Sequence, residues 1–82
     1  MKKKIVILGS TGSIGKSLIS ILNKDKKNFE ITLLTANQNI KELSKQVKKF
    51  DVKNVIVTNK SKFLIFKKNF RDKDVNVFND YN

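Results

Sequence analysis

The chain has 82 residues, enough for one small domain but short for an α/β enzyme, whose domains usually run to about 100–200 residues. Its 18 basic and 7 acidic residues give a formal charge of +11, but the lysines are spread over nearly every predicted surface, so we expect no nucleic-acid partner. Because cysteine and histidine are absent, disulfides, thiolate nucleophiles, imidazole bases and the usual zinc sites are excluded.

The first third of the chain predicts a strand, a glycine turn, a helix and a second strand. Residues 4–8 are mostly apolar and β-branched and end at Gly9, which is typical of a strand buried on both faces of a parallel sheet. A helix is predicted next, because apolar side chains recur at helical spacing at Ile14, Leu18, Ile19 and Leu22. Residues 29–35 form the second predicted strand, and a turn-prone segment closes it.

The rest of the chain repeats the same alternation. A helix begins at residue 40, and its apolar stripe consists of Ile40, Leu43, Val47 and Phe50. Residues 54–58 predict a third strand. Residues 61–70 favour a helix, although 63–66 alone also fit a strand, and 75–78 fit a fourth strand. The predicted fold is α/β: a truncated, Rossmann-like parallel sheet, the βαβαβ(αβ) half of a doubly wound nucleotide-binding domain.

The glycine turn nearly matches the dinucleotide-binding fingerprint G-x-G-x-x-G. Gly12 and Gly15 stand where that fingerprint needs close approach to the pyrophosphate and close packing of helix on strand. Gly9 stands in for the first glycine, which makes the tight turn, so the pattern is the variant G-x-x-G-x-x-G. We expect the backbone amides of residues 11–14 to face a pyrophosphate at the positive end of the helix, with hydroxyl donors from Thr11 and Ser13.

A phosphate-binding P-loop, G-x-x-x-x-G-K-[ST], is the alternative interpretation of the same turn. Gly15, Lys16 and Ser17 supply its ending, but Ser10 stands where its first glycine is required. The third predicted strand also ends without the acidic residue that would bind magnesium. On the dinucleotide interpretation, Lys16 is an exposed lysine in the first helical turn.

The end of the second predicted strand indicates which dinucleotide is preferred. A site for NAD normally has an acidic residue there to bind the ribose 2′-hydroxyl, whereas this chain has Asn37, Gln38 and Asn39. Without a carboxylate to repel a 2′-phosphate, NADP is favoured. Asn37 or Asn39 is also expected to cap the following helix.

The sequences of these motifs closely resemble the motifs of one family. The segment ILGSTGSIG is similar to the N-terminal nucleotide-binding motif of the 1-deoxy-D-xylulose 5-phosphate reductoisomerases, which are NADPH-dependent enzymes of non-mevalonate isoprenoid biosynthesis. A second likeness follows the second strand, where the family commonly has an A-G-K-N-like turn and an E-L…Q…F helix. Here these positions are Ala36, Asn37, Gln38, Asn39, Glu42, Leu43, Gln46 and Phe50. The resemblance is good over residues 4–58 and loose beyond them.

The resemblance implies a site for NADPH. The residues that it places in contact with the pyrophosphate and neighbouring groups are Thr11, Gly12, Ser13 and Ile14. Gly9 and Gly15 flank them in the same turn. It also implies that Asn37, Gln38 and Asn39 lie by the ribose 2′-phosphate. The sequence departs from the family's usual pattern at Asn37 and Gln38, where glycine and a basic residue are frequent.

The resemblance further implies what this chain lacks. The family converts 1-deoxy-D-xylulose 5-phosphate, a sugar phosphate, to 2-C-methyl-D-erythritol 4-phosphate with a divalent metal (Mg or Mn), usually as a homodimer. Its catalytic and metal-binding residues lie beyond residue 82. We therefore expect residues 1–82 to be the N-terminal part of the NADP-binding domain, without the catalytic and C-terminal domains and inactive alone.

The remaining expectations concern location and the alternatives. The apolar run of residues 5–8 is far shorter than the core of a signal peptide, about 7–15 residues, and no stretch approaches the roughly 20 apolar residues of a membrane span. A cytoplasmic protein without a membrane partner is expected. The alternatives are a P-loop-like nucleotide-binding protein and a small basic nucleic-acid-binding module.

Overall fold

A computed structural model describes residues 2–71 and 73–80 and contains four parallel strands alternating with three helices. The sheet order is β1-β2-β3-β4, so every strand lies beside the next strand in the sequence. The elements in chain order are β1 (Lys3–Ile7), α1 (Ser13–Asn23), β2 (Phe29–Ala36), α2 (Ile40–Phe50), β3 (Asn54–Val57), α3 (Lys60–Asn69) and β4 (Asn76–Phe78).

This order of elements confirms the predicted α/β fold, and the segment that fitted either a helix or a strand is a helix. Residues 61–70 overlap α3, in which Phe66 is buried and Phe70 closes the C-terminus. The two rings stack with their centroids 4.5 Å apart, a spacing that four residues of helix produce on one face. Asn59 caps the start of α3 by accepting a hydrogen bond from the Lys62 amide.

The three helices cover one face of the sheet. Connections between parallel strands are right-handed, and the strands advance in one direction from β1 to β4, so each helix returns over the same side. One core cluster accordingly joins helix and strand residues, among them Ile19 and Leu22 of α1, Leu43 and Val47 of α2, Phe66 of α3, and Ile7, Leu34, Val55 and Val57 of the strands.

The opposite face of the sheet carries no helix within residues 2–71 and 73–80. Val6 of β1 is 53% exposed and Leu8, just after it, is 64% exposed. The prediction that β1 is buried on both faces was therefore wrong, because α1, α2 and α3 all pack on the side of Ile7. We call the four apolar residues of this uncovered side the open face; they are Val6, Leu33, Ile56 and Phe78.

The helices are short, with 11, 11 and 10 residues. At about 1.5 Å per residue, each is roughly half as long as the ~30 Å hydrocarbon core of a bilayer is thick. In the described part of the chain, no helix has the length and apolar character that crossing a membrane requires.

Candidate functional site

The two predicted site segments lie at the same edge of the sheet. Strands β1 and β2 are parallel neighbours, and Ile7 pairs with Leu34. The glycine turn follows β1 and residues 37–39 follow β2, so both segments leave from the carboxyl ends of adjacent strands. Ligands of open α/β sheets bind at this edge. The structure thus brings the two segments to neighbouring positions.

Packing between the turn and α1 requires a glycine at position 15. A Cβ on Gly15 would overlap the carbonyl oxygen of Gly9 and lie 2.7 Å from the Cα of Ser10. Gly9 itself has φ +69°, a left-handed conformation that glycine adopts without strain. A Cβ on Gly12, in contrast, would meet only the Gly9 oxygen, at 3.5 Å, which is ordinary contact.

The N-terminus of α1 has unpaired backbone donors. Gly12 is its N-cap residue, no side chain caps it, and no acidic residue lies in its first turn. The Gly12 amide donates to the Gly9 oxygen at 3.1 Å, whereas the amides of Thr11, Ser13 and Ile14 donate no hydrogen bond within residues 2–71 and 73–80. Unpaired amides at the positive end of a helix favour an anion.

The other two helices have capped starts. Asn39 accepts a hydrogen bond from the Glu42 amide at 3.2 Å at the start of α2. This settles which asparagine caps α2. Asn59 does the same for α3. Among the described helices, α1 alone therefore begins without a side-chain cap.

The glycine turn opens onto a groove of about 450 Å³. Gly9 and residues 12–15 line one side of it, and the apolar side chains of Val6, Leu8, Ile14 and Leu18 line the rest. Ile14 is 86% exposed although it is large and apolar. A groove that combines backbone amides with apolar walls suits a ligand with a charged centre and flat apolar groups. Another groove, of about 500 Å³ at the β4 edge, contains none of the turn residues.

Two buried polar residues, one on β2 and one on α2, form hydrogen bonds with the backbone of the turn. Thr35 of β2 accepts the Gly9 amide on its hydroxyl at 2.8 Å and the Ser10 amide on its carbonyl at 2.9 Å. Gln46 of α2 donates from Nε2 to the Ser10 carbonyl at 2.9 Å. No sequence motif predicted a role for Thr35 or Gln46 in the site. The available signals were a polar residue ending an apolar strand and a glutamine next to the apolar stripe of α2.

Residues 37–39 are exposed, and two of their side chains already make local hydrogen bonds. Asn37 accepts from the Thr58 hydroxyl at 2.8 Å, and Asn39 caps α2. In both, the bond uses the amide oxygen, so the Nδ2 group remains as a donor. Gln38 is held through its backbone, where its carbonyl accepts the Ile40 amide.

The features expected of a P-loop or a metal centre do not come together here. Lys16 is exposed, and the Ser17 hydroxyl donates to the Ser13 carbonyl at 3.0 Å inside α1. Within residues 2–71 and 73–80, no three acidic, histidine or cysteine side chains are grouped so that they could hold a metal ion.

Comparisons with known proteins agree with this geometry. The model of the 1-deoxy-D-xylulose 5-phosphate reductoisomerase family matches residues 5–81. The reductoisomerase of Pelagibacter ubique is 58% identical over 79 residues, which are 96% of this chain and 20% of that protein. The protein of the same name from Thermoanaerobacter sp. (strain X514) is 47% identical over 60 residues, 73% of this chain and 16% of that one.

A solved structure shows the same architecture. The reductoisomerase from Zymomonas mobilis in complex with NADPH matches with a TM-score of 0.88 and 26% sequence identity, over 95% of this chain and 21% of that one. The chain thus spans 16–21% of the length of these relatives. Because the family model covers nearly all of it, the chain belongs to the 1-deoxy-D-xylulose 5-phosphate reductoisomerase family.

Proposed function

We propose that this chain is the N-terminal part of an NADPH-binding domain and that the amides of Thr11, Ser13 and Ile14 bind the cofactor's pyrophosphate. The observation that carries the proposal is the uncapped start of α1, where Ser13 and Ile14, with unpaired amides, line an open groove and Thr11 immediately precedes the N-cap residue. A pyrophosphate bridge carries two negative charges and many acceptor oxygens, so it satisfies these donors and the helix dipole together. The relative solved with NADPH supports the choice of ligand.

The glycines let the cofactor approach closely. Gly12 lies on the wall of the groove, and a side chain there would stand between the helix start and the phosphates. Gly15 lets α1 pack against the turn, so that the amides point at the ligand over a short distance. Gly9 and Gly15 thus shape the site, and residues 11–14 contact the cofactor.

Asn37, Gln38 and Asn39 are proposed to lie beside the ribose 2′-phosphate. Their segment leaves the sheet beside the turn, and Thr35, two residues before it, is hydrogen-bonded to Gly9 and Ser10. The Nδ2 groups of Asn37 and Asn39 supply neutral donors to a phosphate oxygen. No carboxylate stands in this segment to repel the phosphate.

The activity of the whole protein is part of the same proposal. It is the conversion of 1-deoxy-D-xylulose 5-phosphate to 2-C-methyl-D-erythritol 4-phosphate in isoprenoid biosynthesis, with a divalent metal held outside this chain. Bound NADPH would supply the hydride for the reduction. The residues described here would bind and orient the cofactor and would perform no chemical step, so the 82-residue chain alone is expected to be inactive. The homodimer rests on the family resemblance alone.

Calorimetric titration of the chain tests the cofactor assignment. We expect saturable binding of NADPH, weaker binding of NADH because it lacks the 2′-phosphate, and no binding of ATP with magnesium. Nucleic acid is the control for the charge of +11. Binding of NADPH that is no stronger than that of an unrelated polyanion, or that disappears at moderate salt as nucleic-acid binding does, would contradict the proposal.

A further inference from the structure

We propose that Gln46 is a positioning residue that turns the Thr11 amide toward the cofactor. This inference rests on the proposed function, because it assigns a second layer of residues to the same pyrophosphate site. Gln46 does not line the groove. It acts through the Ser10 carbonyl, on which its side chain donates a hydrogen bond 2.9 Å long.

The contact between Gln46 and Ser10 is fully enclosed. Gln46 is 3% exposed and Ser10 is 0% exposed, so water does not compete for the bond. The two residues are 36 positions apart, and the bond joins α2 directly to the turn after β1. A buried hydrogen bond of this kind holds its partners in one geometry more firmly than an exposed one.

Gln46 is an unfavourable residue for packing alone. It lies on the buried side of α2 with Leu43 and Val47, where an apolar side chain of similar volume would fit. Its Oε1 atom is buried and has no hydrogen-bond partner within residues 2–71 and 73–80. Burying an unpaired acceptor is destabilising. What the glutamine adds in return is the 2.9 Å bond from Nε2 to the turn, together with a longer bond of 3.5 Å from the same atom to Glu42 within α2.

The geometry of the peptide group connects that bond to the cofactor site. The carbonyl of Ser10 and the amide of Thr11 belong to one trans peptide plane, in which C=O and N–H point in opposite directions. When Gln46 fixes the Ser10 oxygen toward α2, the Thr11 N–H must point away from α2. That amide is among those at the start of α1 that have no hydrogen-bond partner within the described residues.

Thr35 holds the turn differently. It binds the amides of Gly9 and Ser10, which fixes how the chain leaves β1. Neither bond fixes the plane between Ser10 and Thr11. Gln46 is the residue that restrains this plane, so its loss is expected to affect the pyrophosphate site more than the fold.

The test compares Gln46→Met with a matched control, Asn54→Leu, in the 82-residue chain. Methionine keeps the volume and removes the donor. Asn54 makes the same type of bond, from Nδ2 to the Thr32 carbonyl at 3.1 Å, but lies at the opposite end of the sheet. The probes are NADPH and adenosine 2′-monophosphate, which carries the 2′-phosphate but neither phosphate of the pyrophosphate bridge.

We expect Gln46→Met to weaken NADPH binding about tenfold, the effect of one well-placed hydrogen bond, and to change binding of the 2′-monophosphate by less than about twofold. Asn54→Leu should leave both affinities unchanged. Equal NADPH affinity of Gln46→Met and the unmodified chain would overturn this inference and leave the proposed function standing. An equal loss for both probes would overturn it as well, because it would indicate a general disturbance. Failure of the unmodified chain to bind NADPH would reject both proposals.

A measurement on the unmodified chain covers the case in which Gln46→Met does not fold. The side-chain NH₂ resonances of Gln46 should shift in the NMR spectrum when NADPH binds and remain in place when the 2′-monophosphate binds. A resonance that NADPH leaves in place would overturn the inference.

Discussion

Gly15 and Gly9 lie in direct backbone contact, so close that a Cβ on Gly15 would overlap the Gly9 carbonyl oxygen. This contact joins the first turn of α1 to the left-handed residue that ends β1. It brings the start of the helix to the edge of the sheet, where the groove lies. The fold and the proposed site therefore depend on the same two residues.

The first prediction concerns Gly15→Ala, which we expect to destabilise the chain by about 1–3 kcal/mol, the usual cost of overpacking. Helix propensity favours alanine by about 0.8–1 kcal/mol, but the neighbours of the new methyl group are backbone atoms that cannot rotate away. Urea denaturation measures the difference. An unfolding free energy equal to or above that of the unmodified chain would contradict the packing argument.

Gly12→Ala is expected to weaken NADPH binding strongly while lowering stability only slightly. The methyl group fits at 3.5 Å from the nearest atom, so the cost to stability is at most the roughly 1 kcal/mol of an N-cap change. It would, however, stand on the groove wall and block close approach of the pyrophosphate. We expect NADPH affinity to fall at least about tenfold, measured by calorimetry, with a cooperative unfolding transition retained. Unchanged affinity would indicate that the phosphates bind elsewhere.

Lys16→Ala distinguishes the dinucleotide site from a P-loop. Lys16 is exposed, and its side chain makes no hydrogen bond or ion pair within residues 2–71 and 73–80, although its backbone amide donates to the Gly12 carbonyl. We expect NADPH affinity to change by less than about threefold, as for the loss of one screened surface charge. A chain that binds ATP with magnesium and loses that binding in Lys16→Ala would support the P-loop alternative instead.

The open face predicts self-association of the chain. Exposed apolar patches promote association, and Val6 and Phe78 are 53% and 47% exposed on one side of the sheet. The double variant Val6→Thr, Phe78→Thr keeps side chains suited to strands and should shift sedimentation toward the monomer. The control is Ile21→Thr, Leu64→Thr, which alters two exposed apolar residues on helices. Equal effects of the two double variants would show that the open face has no special role.

The order of strands and helices was predictable because each element has a local signal. The period of apolar residues gave α2 its bounds, and the glycine turn separated β1 from α1. Which face of β1 is buried was not predictable from the strand itself. Ile7 and Val6 are equally apolar, and only the direction in which the strands advance decides that the helices cover Ile7.

Only the part of the candidate site that forms a recognisable sequence motif, the segments proposed to contact the ligand, was predictable. The three glycines stood out by their spacing between a strand and a helix, and residues 37–39 because no acidic residue stands at the end of the second strand. The support behind the turn, from Thr35 and Gln46, depends on contacts between residues 25 to 36 positions apart. No local pattern records such a distance, so their roles required the structure.

The most direct test of the cofactor assignment is an NMR titration of the isotope-labelled chain with NADPH. We predict that the amide resonances of Thr11, Ser13 and Ile14 shift together and saturate, with smaller shifts at residues 37–39. Adding sodium chloride to about 0.15 M, where the Debye length is about 8 Å, should leave this pattern in place. Shifts that are absent from residues 11–14, or that are spread over the surface lysines and removed by salt, would contradict the account.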